Sequence, residues 1–312
     1  MLALAAVSVM GQTGEIRGVH DPCVMRIGDR FVLFATGRGI PMRVSPDLKE
    51  WTLAGRVFEE IPEWCAREVP GFRGWIWAPD ISFFNGRYHL YYSVSTFGKN
   101  RSCIGLAVNR TLDPASREYR WEDRGKVVES QPGRDDWNAI DPALALDESG
   151  EPWLAFGSFW SGIKMRRIEK ASGLVSDVDT RLYALASRPG GAGVEAPFLI
   201  RHGGWHYLFV SFDVCCRGVD STYRIMVGRS RKITGPYVDR DGRLMLEGGG
   251  TEVLSGRGAM RGPGHNAVLE HENRFWLVHH FYDADDRGRS RLRIAPLRWT
   301  TDGWPEDEAA TR

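Results

Sequence analysis

The sequence predicts an all-β protein, a five-bladed β-propeller with four-stranded antiparallel blades around a central cavity. Two observations carry that prediction. One phrase recurs five times along the chain: a polar or small residue, an apolar run, a tight polar turn and an aromatic-rich run. No long stretch has helical periodicity, and 36 glycines with 12 tryptophans suit many short strands joined by turns. A repeat that cannot bury its apolar face alone must stack on its neighbours, so five copies read as five equivalent blades.

The first copy begins at Asp21, turns at Gly28-Asp29 and ends in FVLFAT. The second begins at Ala78, turns at Asn85-Gly86 and ends in YHLYYSVS. The third begins at Asp141, turns over Ser149-Gly150 and ends in WLAFGSF. The fourth begins at Glu195, turns at Gly203-Gly204 and ends in WHYLFVSF, and the fifth runs from His265 through Glu272-Asn273 to FWLVHHFY. Such dipeptides, or near relatives of them, are hairpin turns. The starts lie 57, 63, 54 and 70 residues apart, longer than the ~40–50 of common propeller repeats, so the blades carry long loops. From leading residue to first aromatic after the turn the offset is 10 in four copies and 12 in the third, whose turn is longer. This spacing puts the five leading positions in register. SPDLKEW and TGPYVD read as strand-ending turns. Five such blades use residues 1–312 as one catalytic domain, with a polar tail after Trp299 expected to fray at its end.

Lys+Arg 41 against Asp+Glu 40 leaves a net charge of +1. That argues against nucleic acid or an anionic membrane as partner, since both need a basic excess. No stretch reaches the ~18–20 apolar residues of a membrane span. The opening MLALAAVSVMG is apolar but lacks a basic start and a clear cleavage site, so it reads as the remnant of a secretion signal or as an early strand. Five cysteines, an odd number, do not make a disulfide framework. Adjacent Cys215 and Cys216 read as two small buried thiols rather than a strained vicinal disulfide.

A propeller brings the leading positions to its axis, so Asp21, Asp141 and Glu195 are expected to converge there. One Asp-Pro merely starts a strand; three carboxylates in register point to chemistry. Like charges in a partly desolvated pocket push their pKa values apart, so one carboxyl stays ionised and another protonated. Glu195, between Val194 and Ala196-Pro197, is the acid candidate. Asp21, after the polar His20, is the base candidate. Asp141 is expected to raise the acid's pKa and to hold the sugar. Paired carboxyls of this kind suggest glycoside hydrolysis. His265 reads either as a hydrogen-bonded structural residue or as a group that binds a metal or orients water. Trp75, Trp77 and Trp160 lie where sugar rings would stack, and Trp77 and Trp160 are the chosen candidates. Trp51, Trp121, Trp276 and Trp299 read as packing.

The segments VHDP, GWIWAPD, WNAIDPAL, FGSFWSGI, VEAPFLI, SFDVCCRGVDSTYRIMVGRS, TGPYVD and GPGHNAV resemble glycoside hydrolase family 43. Within it they are most similar to the endo-α-1,5-L-arabinanases. The resemblance runs from His20 to Pro305. HDP and EAPF recur among related propeller glycosidases, whereas WNAID, GSFWSG and DVCCRGVDSTY are specific to the arabinanase branch. It implies inverting hydrolysis of arabinan with Asp21 as base, Asp141 as pKa modulator and Glu195 as acid, ~6.5–9.5 Å between base and acid. It implies substrate contacts from Asn138, Ala139, Ile140 and Asp141, from Ser158, Phe159 and Trp160, and from Gly105. It also implies a calcium or other ion near His265, mainly structural, with no organic cofactor. A monomer, secreted or periplasmic, is expected. The alternatives are an exo-acting α-L-arabinofuranosidase or β-xylosidase on the same scaffold, a carbohydrate-binding propeller without catalysis, and a protein-interaction propeller.

Overall fold

A computed structural model of the protein describes residues 11–308. The expectation of a secretion signal or early strand at the very start falls on residues outside these, apart from Gly11.

Five sheets follow one another along the chain, each built on four antiparallel strands; the first two carry a short fifth strand, Thr13–Gly14 and Gly37–Arg38 respectively. The first comprises Cys23–Ile27, Arg30–Phe34, Pro41–Ser45 and Glu50–Arg56. The second comprises Trp75–Phe84, Arg87–Val94, Ser102–Asn109 and Glu122–Ser130. The third comprises Ala143–Leu146, Pro152–Phe156, Ile163–Arg167 and Tyr183–Ala186. The fourth comprises Val194–His202, Trp205–Phe212, Arg224–Ser230 and Thr251–Leu254, and the fifth Met260–His271, Arg274–Asp283, Arg289–Trp299 and Pro305–Asp307. The first strand of each sheet touches the first strand of the next, and the fifth returns to the first. The molecule is a five-bladed β-propeller.

The predicted turns join the inner two strands of each blade. Asn85-Gly86, Gly203-Gly204 and Glu272-Asn273 have positive φ at both residues, the backbone that lets a two-residue loop follow the twist of its strands. Aromatic and branched side chains after each turn fill the gaps between blades. Among the described residues there is one apolar cluster per gap. Phe34 and Met42 meet Leu90 and Tyr92 between blades 1 and 2. Tyr91 and Leu106 meet Leu154 and Phe156 between blades 2 and 3. Blades 3 and 4 share Met165 with Leu208, blades 4 and 5 share Phe209 with Leu277, and blades 5 and 1 share Trp276 with Leu33. Trp51 and Trp276 are buried as expected, while Trp121 and Trp299 are half-buried against Phe34 and His202.

Two short additions close the ring. Thr13–Gly14 pairs in parallel with the outer strand of blade 1. Just before it, the Gln12 side chain donates to Ile294 O at 2.9 Å and accepts from Ile294 N–H at 3.0 Å, on blade 5. The expected fraying at the very end of the tail falls on residues 309–312, outside the described residues. Pro305–Asp307 is the outer strand of blade 5, fixed by the buried Asp307 paired with Arg293.

One residue at the head of each inner strand has positive φ: Asp21, Ala78, Asp141, Ala196 and His265. The fourth leading position is therefore Ala196, not Glu195. Strand pairing gives the same register, since Glu195 faces Ser211 as Trp77 faces Ser93 and Gly264 faces His280. Glu195 stands one residue ahead of the repeat, so only two leading positions carry carboxylates.

Candidate active site

The positive φ at each leading residue turns its N–H toward the preceding blade, where a side chain receives it. Ala78 N–H donates to Thr36 Oγ1 at 2.8 Å, Asp141 N–H to Ser93 Oγ at 2.9 Å and His265 N–H to Ser211 Oγ at 2.8 Å. Asp21 N–H donates to His280 Nδ1 at 3.1 Å. On blade 3 the equivalent position is Gly157, whose N–H donates to Ile140 O at 2.8 Å. A Cβ there would lie 2.5 Å from Gly162 O, so no side chain is available. Ala196 N–H goes instead to Asp141 Oδ2 at 3.1 Å. The Asp141 carboxylate thus belongs to the ring that holds the inner strands together.

Asp21 is buried among basic groups. Its Oδ1 lies 2.8 Å from His20 Nδ1 and 3.1 Å from His265 Nδ1, and its Oδ2 accepts from Thr36 Oγ1 at 2.5 Å. Burial alone would raise its pKa, but His20 and His265 outweigh burial and hold the carboxyl well below the usual range. His265 answers in kind. Burial disfavours its charge, yet Asp21, with Asp141 and Glu195, raises its pKa to about 9.

Glu195 has the opposite environment. Burial, then the Asp141 charge, push its pKa up, against a 2.5 Å hydrogen bond donated by Ser158 Oγ to Oε2. Tyr223 donates its hydroxyl to Oε1. Asp141 is itself raised by burial, opposed by His265 and reinforced by Asp21. The surroundings thus favour the ionised form of Asp21 and the protonated form of Glu195 in a single cleft.

That cleft has a volume of about 980 Å³ and is lined by Asp21, Asp141 and Glu195 together with Trp77, Asn138, Ile140, Ser158, Phe159, Trp160 and His265. Its rim is aromatic and open: Trp75 is 58% exposed, Phe97 77% and Trp160 39%. Phe159 and Trp160 both have positive φ, a strained state for bulky residues that projects them from the chain. Asn138 Oδ1 is buried beside the cleft with no protein donor.

Two expected contacts are absent from the lining. Gly105 is in the third strand of blade 2, where a Cβ would meet the Tyr92 ring at 2.5 Å and the Trp64 ring at 2.7 Å. Close packing on these rings accounts for a glycine at this position. Ala139 is fully buried between blades 2 and 3, its N–H donating to Ser130 Oγ at 2.9 Å. The paired cysteines also differ from expectation. Cys215 and Cys216 form a vicinal disulfide at the cleft wall, with Cys216 exposed; their place in a loop rather than a strand removes them from the core. Cys23, Cys65 and Cys103 are the buried free thiols.

Thr36, Tyr223, His280 and Tyr282 were not singled out from the sequence. His280 and Tyr282 follow the fifth turn in an aromatic run that reads as core, and their partners lie about 260 residues away. Asp80 was also missed. It is buried, accepts from Leu144 N–H at 2.8 Å, and burial pushes its pKa to about 7. It ties blade 2 to blade 3.

Calcium takes six to eight oxygen ligands. Among the described residues, the group with mutually close ligand atoms is His20, Asp21 and His280, two imidazoles and one carboxylate already engaged with one another. These residues do not fit a directly ligated calcium ion.

A propeller whose axial cleft carries an ionised and a protonated carboxyl beneath aromatic walls is built as a glycoside hydrolase. The chain belongs to glycosyl hydrolases family 43, whose family pattern matches residues 16–305. It is 44% identical to the extracellular exo-alpha-(1->5)-L-arabinofuranosidase of Cellvibrio japonicus, over 98% of this chain and 90% of that protein. It is 43% identical to the extracellular endo-alpha-(1->5)-L-arabinanase 1 of Bacillus subtilis, over 97% and 91%. Among solved structures, the Cellvibrio cellulosa alpha-L-arabinanase complexed with arabinohexaose superposes with a TM-score of 0.92 at 42% identity, covering 95% of this chain and 97% of that one.

Proposed function

We propose that this protein hydrolyses internal α-1,5-L-arabinofuranosidic bonds of arabinan with inversion. The observation that carries this reading is that Asp21 and Glu195 line one cleft in opposite surroundings, Asp21 against His20 and His265 and Glu195 buried beside Asp141. The relatives named above support the substrate class.

The chemistry needs two proton movements. Asp21, the base, takes a proton from a water molecule as its oxygen bonds to the anomeric carbon. Glu195, the acid, gives its proton to the leaving oxygen as the glycosidic bond breaks. Asp21 ends protonated and Glu195 ionised, and exchange with solvent restores both. Each transfer contributes on the order of 10²–10⁴ in rate. Asp141 keeps Glu195 protonated by its charge. His20 and His265 keep Asp21 ionised. Trp77 and Trp160 offer faces for furanose rings.

The partner in this reading is arabinan or an arabino-oligosaccharide, met by a monomer outside the cytoplasm; two relatives are named extracellular. An ion near His265 would be structural and reached through water, and a chelator should then lower the melting temperature more than the turnover.

Product analysis on linear α-1,5-arabinan tests the proposal. A spread of short arabino-oligosaccharides is expected. Arabinose alone, or one short product of fixed length, selects the exo reading that the Cellvibrio relative's name raises. Binding without release from the folded protein selects the non-catalytic reading.

A further inference from the structure

We infer that the Cys215–Cys216 disulfide is a positioning element for the base. It holds the Cys216 N–H against Tyr282, which orients His20, which orients Asp21. The inference rests on the assignment of Asp21 made above.

The contacts form one directed chain. Cys216 N–H donates to the Tyr282 hydroxyl oxygen at 2.8 Å. That oxygen lies 2.7 Å from His20 Nε2, and His20 Nδ1 lies 2.8 Å from Asp21 Oδ1. An amide can only donate, whereas a phenol both donates and accepts. The amide therefore occupies one lone pair of the phenol oxygen, and the phenol proton has two acceptors in reach, His20 Nε2 at 2.7 Å and Cys216 Sγ at 3.8 Å, of which the nearer nitrogen makes the better hydrogen bond. A neutral imidazole that accepts at Nε2 carries its proton on Nδ1. That proton faces Asp21. The other tautomer would set a lone pair against the carboxylate. His20 also stacks on His280, ring centroids 3.8 Å apart, so the ring cannot swing freely to compensate.

The disulfide is what fixes the first donor. Cys216 has φ +65, a conformation that residues with side chains adopt sparingly. A bond between neighbouring side chains closes a small ring that restricts rotation about the intervening peptide. Cys216 Sγ is also 3.8 Å from the Tyr282 hydroxyl and 3.9 Å from His20 Nε2, so the sulfur packs on the pair it serves. The rest of the loop is pinned at its base, through Val214 with Thr222 and Arg217 N–H to Ser221 Oγ. Of these, the Ser221 side chain also reaches the Tyr282 hydroxyl, so the Cys216 amide shares the phenol with one contact that does not depend on the disulfide.

Cys216 is exposed, while Cys23, Cys65 and Cys103 are buried free thiols. A dithiol such as dithiothreitol can therefore act on this bond under native conditions. It supplies two electrons and two protons, is itself oxidised to its cyclic disulfide, and leaves two thiols on the protein. The test compares oxidised wild type, reduced wild type, the pair Cys215→Ser/Cys216→Ser, Tyr282→Phe, and the triple variant. On linear arabinan, kcat should fall by about 10- to 100-fold in each altered protein, by analogy with the loss of an outer partner of a metal-bound histidine, with little change in KM. The triple variant should be no slower than Tyr282→Phe, because both act through one chain. Full kcat after reduction, or losses that multiply, would overturn the inference. Nitrogen-15 spectra of His20 give a readout that needs no substrate. The oxidised protein should show protonation at Nδ1 alone, and the reduced one a mixture; a tautomer unchanged by reduction also overturns it. Should the serine pair not fold, reduced wild type carries the test. Should oxidised wild type release nothing from arabinan, the proposed function fails, while the spectra still decide this inference.

Discussion

Asp141 Oδ2 receives the Ala196 N–H at 3.1 Å, so the carboxylate that tunes Glu195 is also the link between blades 3 and 4. An asparagine can keep that link through its side-chain oxygen while removing the charge. The charge raises the Glu195 pKa, and the acid works only while protonated, below that pKa. Asp141→Asn should therefore fold normally and move the alkaline limb of kcat/KM to lower pH. An unmoved limb would show that Asp141 is only a link.

Ser158→Ala should shift the same limb the other way. The Ser158 hydroxyl donates to Glu195 Oε2 at 2.5 Å and lowers its pKa. Without it the proton is held to higher pH, and activity should persist further into the alkaline range. A pH profile of kcat/KM beside wild type is the check.

Glu195→Gln and Asp21→Asn preserve shape and remove one proton transfer each. Turnover on arabinan should fall by roughly 10²–10⁴ with the far-UV spectrum unchanged. A variant that keeps more than about a tenth of wild-type turnover would remove that residue from its role.

Trp77→Ala and Trp160→Ala should act on binding. A stacked aromatic contact contributes about 0.5–1.5 kcal/mol, so KM for arabino-oligosaccharides should rise by about 2- to 10-fold for each, with kcat less affected. Unchanged KM would make these residues wall rather than platform.

Asp307 is fully buried with Arg293 Nη2 at 3.1 Å from its Oδ1. Asp307→Ala leaves the half-buried Arg293 guanidinium without its carboxylate and should destabilise the fold by up to about 3 kcal/mol, read by denaturant unfolding. Turnover below the unfolding transition should be unchanged, because blade 5 bears this strand on its outer edge.

The blades were legible because hairpin turns and aromatic runs are local and repeat. Asp21 and Asp141 were legible because each leads a copy. Glu195 was found for a partly mistaken reason: it lies one residue before the repeat position, and a spacing count cannot see the positive φ at Ala196. The relay residues were hidden because their partners are remote in sequence; Thr36 and Tyr282 look like ordinary strand residues until the ring closes. Gly105 lies outside the cleft lining, and a glycine needed for ring packing and one needed for substrate approach look alike in a sequence. The cysteine pair was misread because adjacency does not reveal whether a loop or a strand carries it.

Acid and base sit on blades that are not neighbours. Asp21 heads blade 1, Glu195 heads blade 4, and blade 5 stands between them with His265 against Asp21. The gap that must admit a water molecule is thus spanned by a whole folded sheet, as a wedge sets the opening between two stones of an arch. Loops at the rim can lengthen, shorten or change their residues, and so alter which sugars enter, without altering that gap. Outside the Cys215–Cys216 loop, which reaches the base, substrate choice and the separation of acid and base are mechanically separate in this molecule.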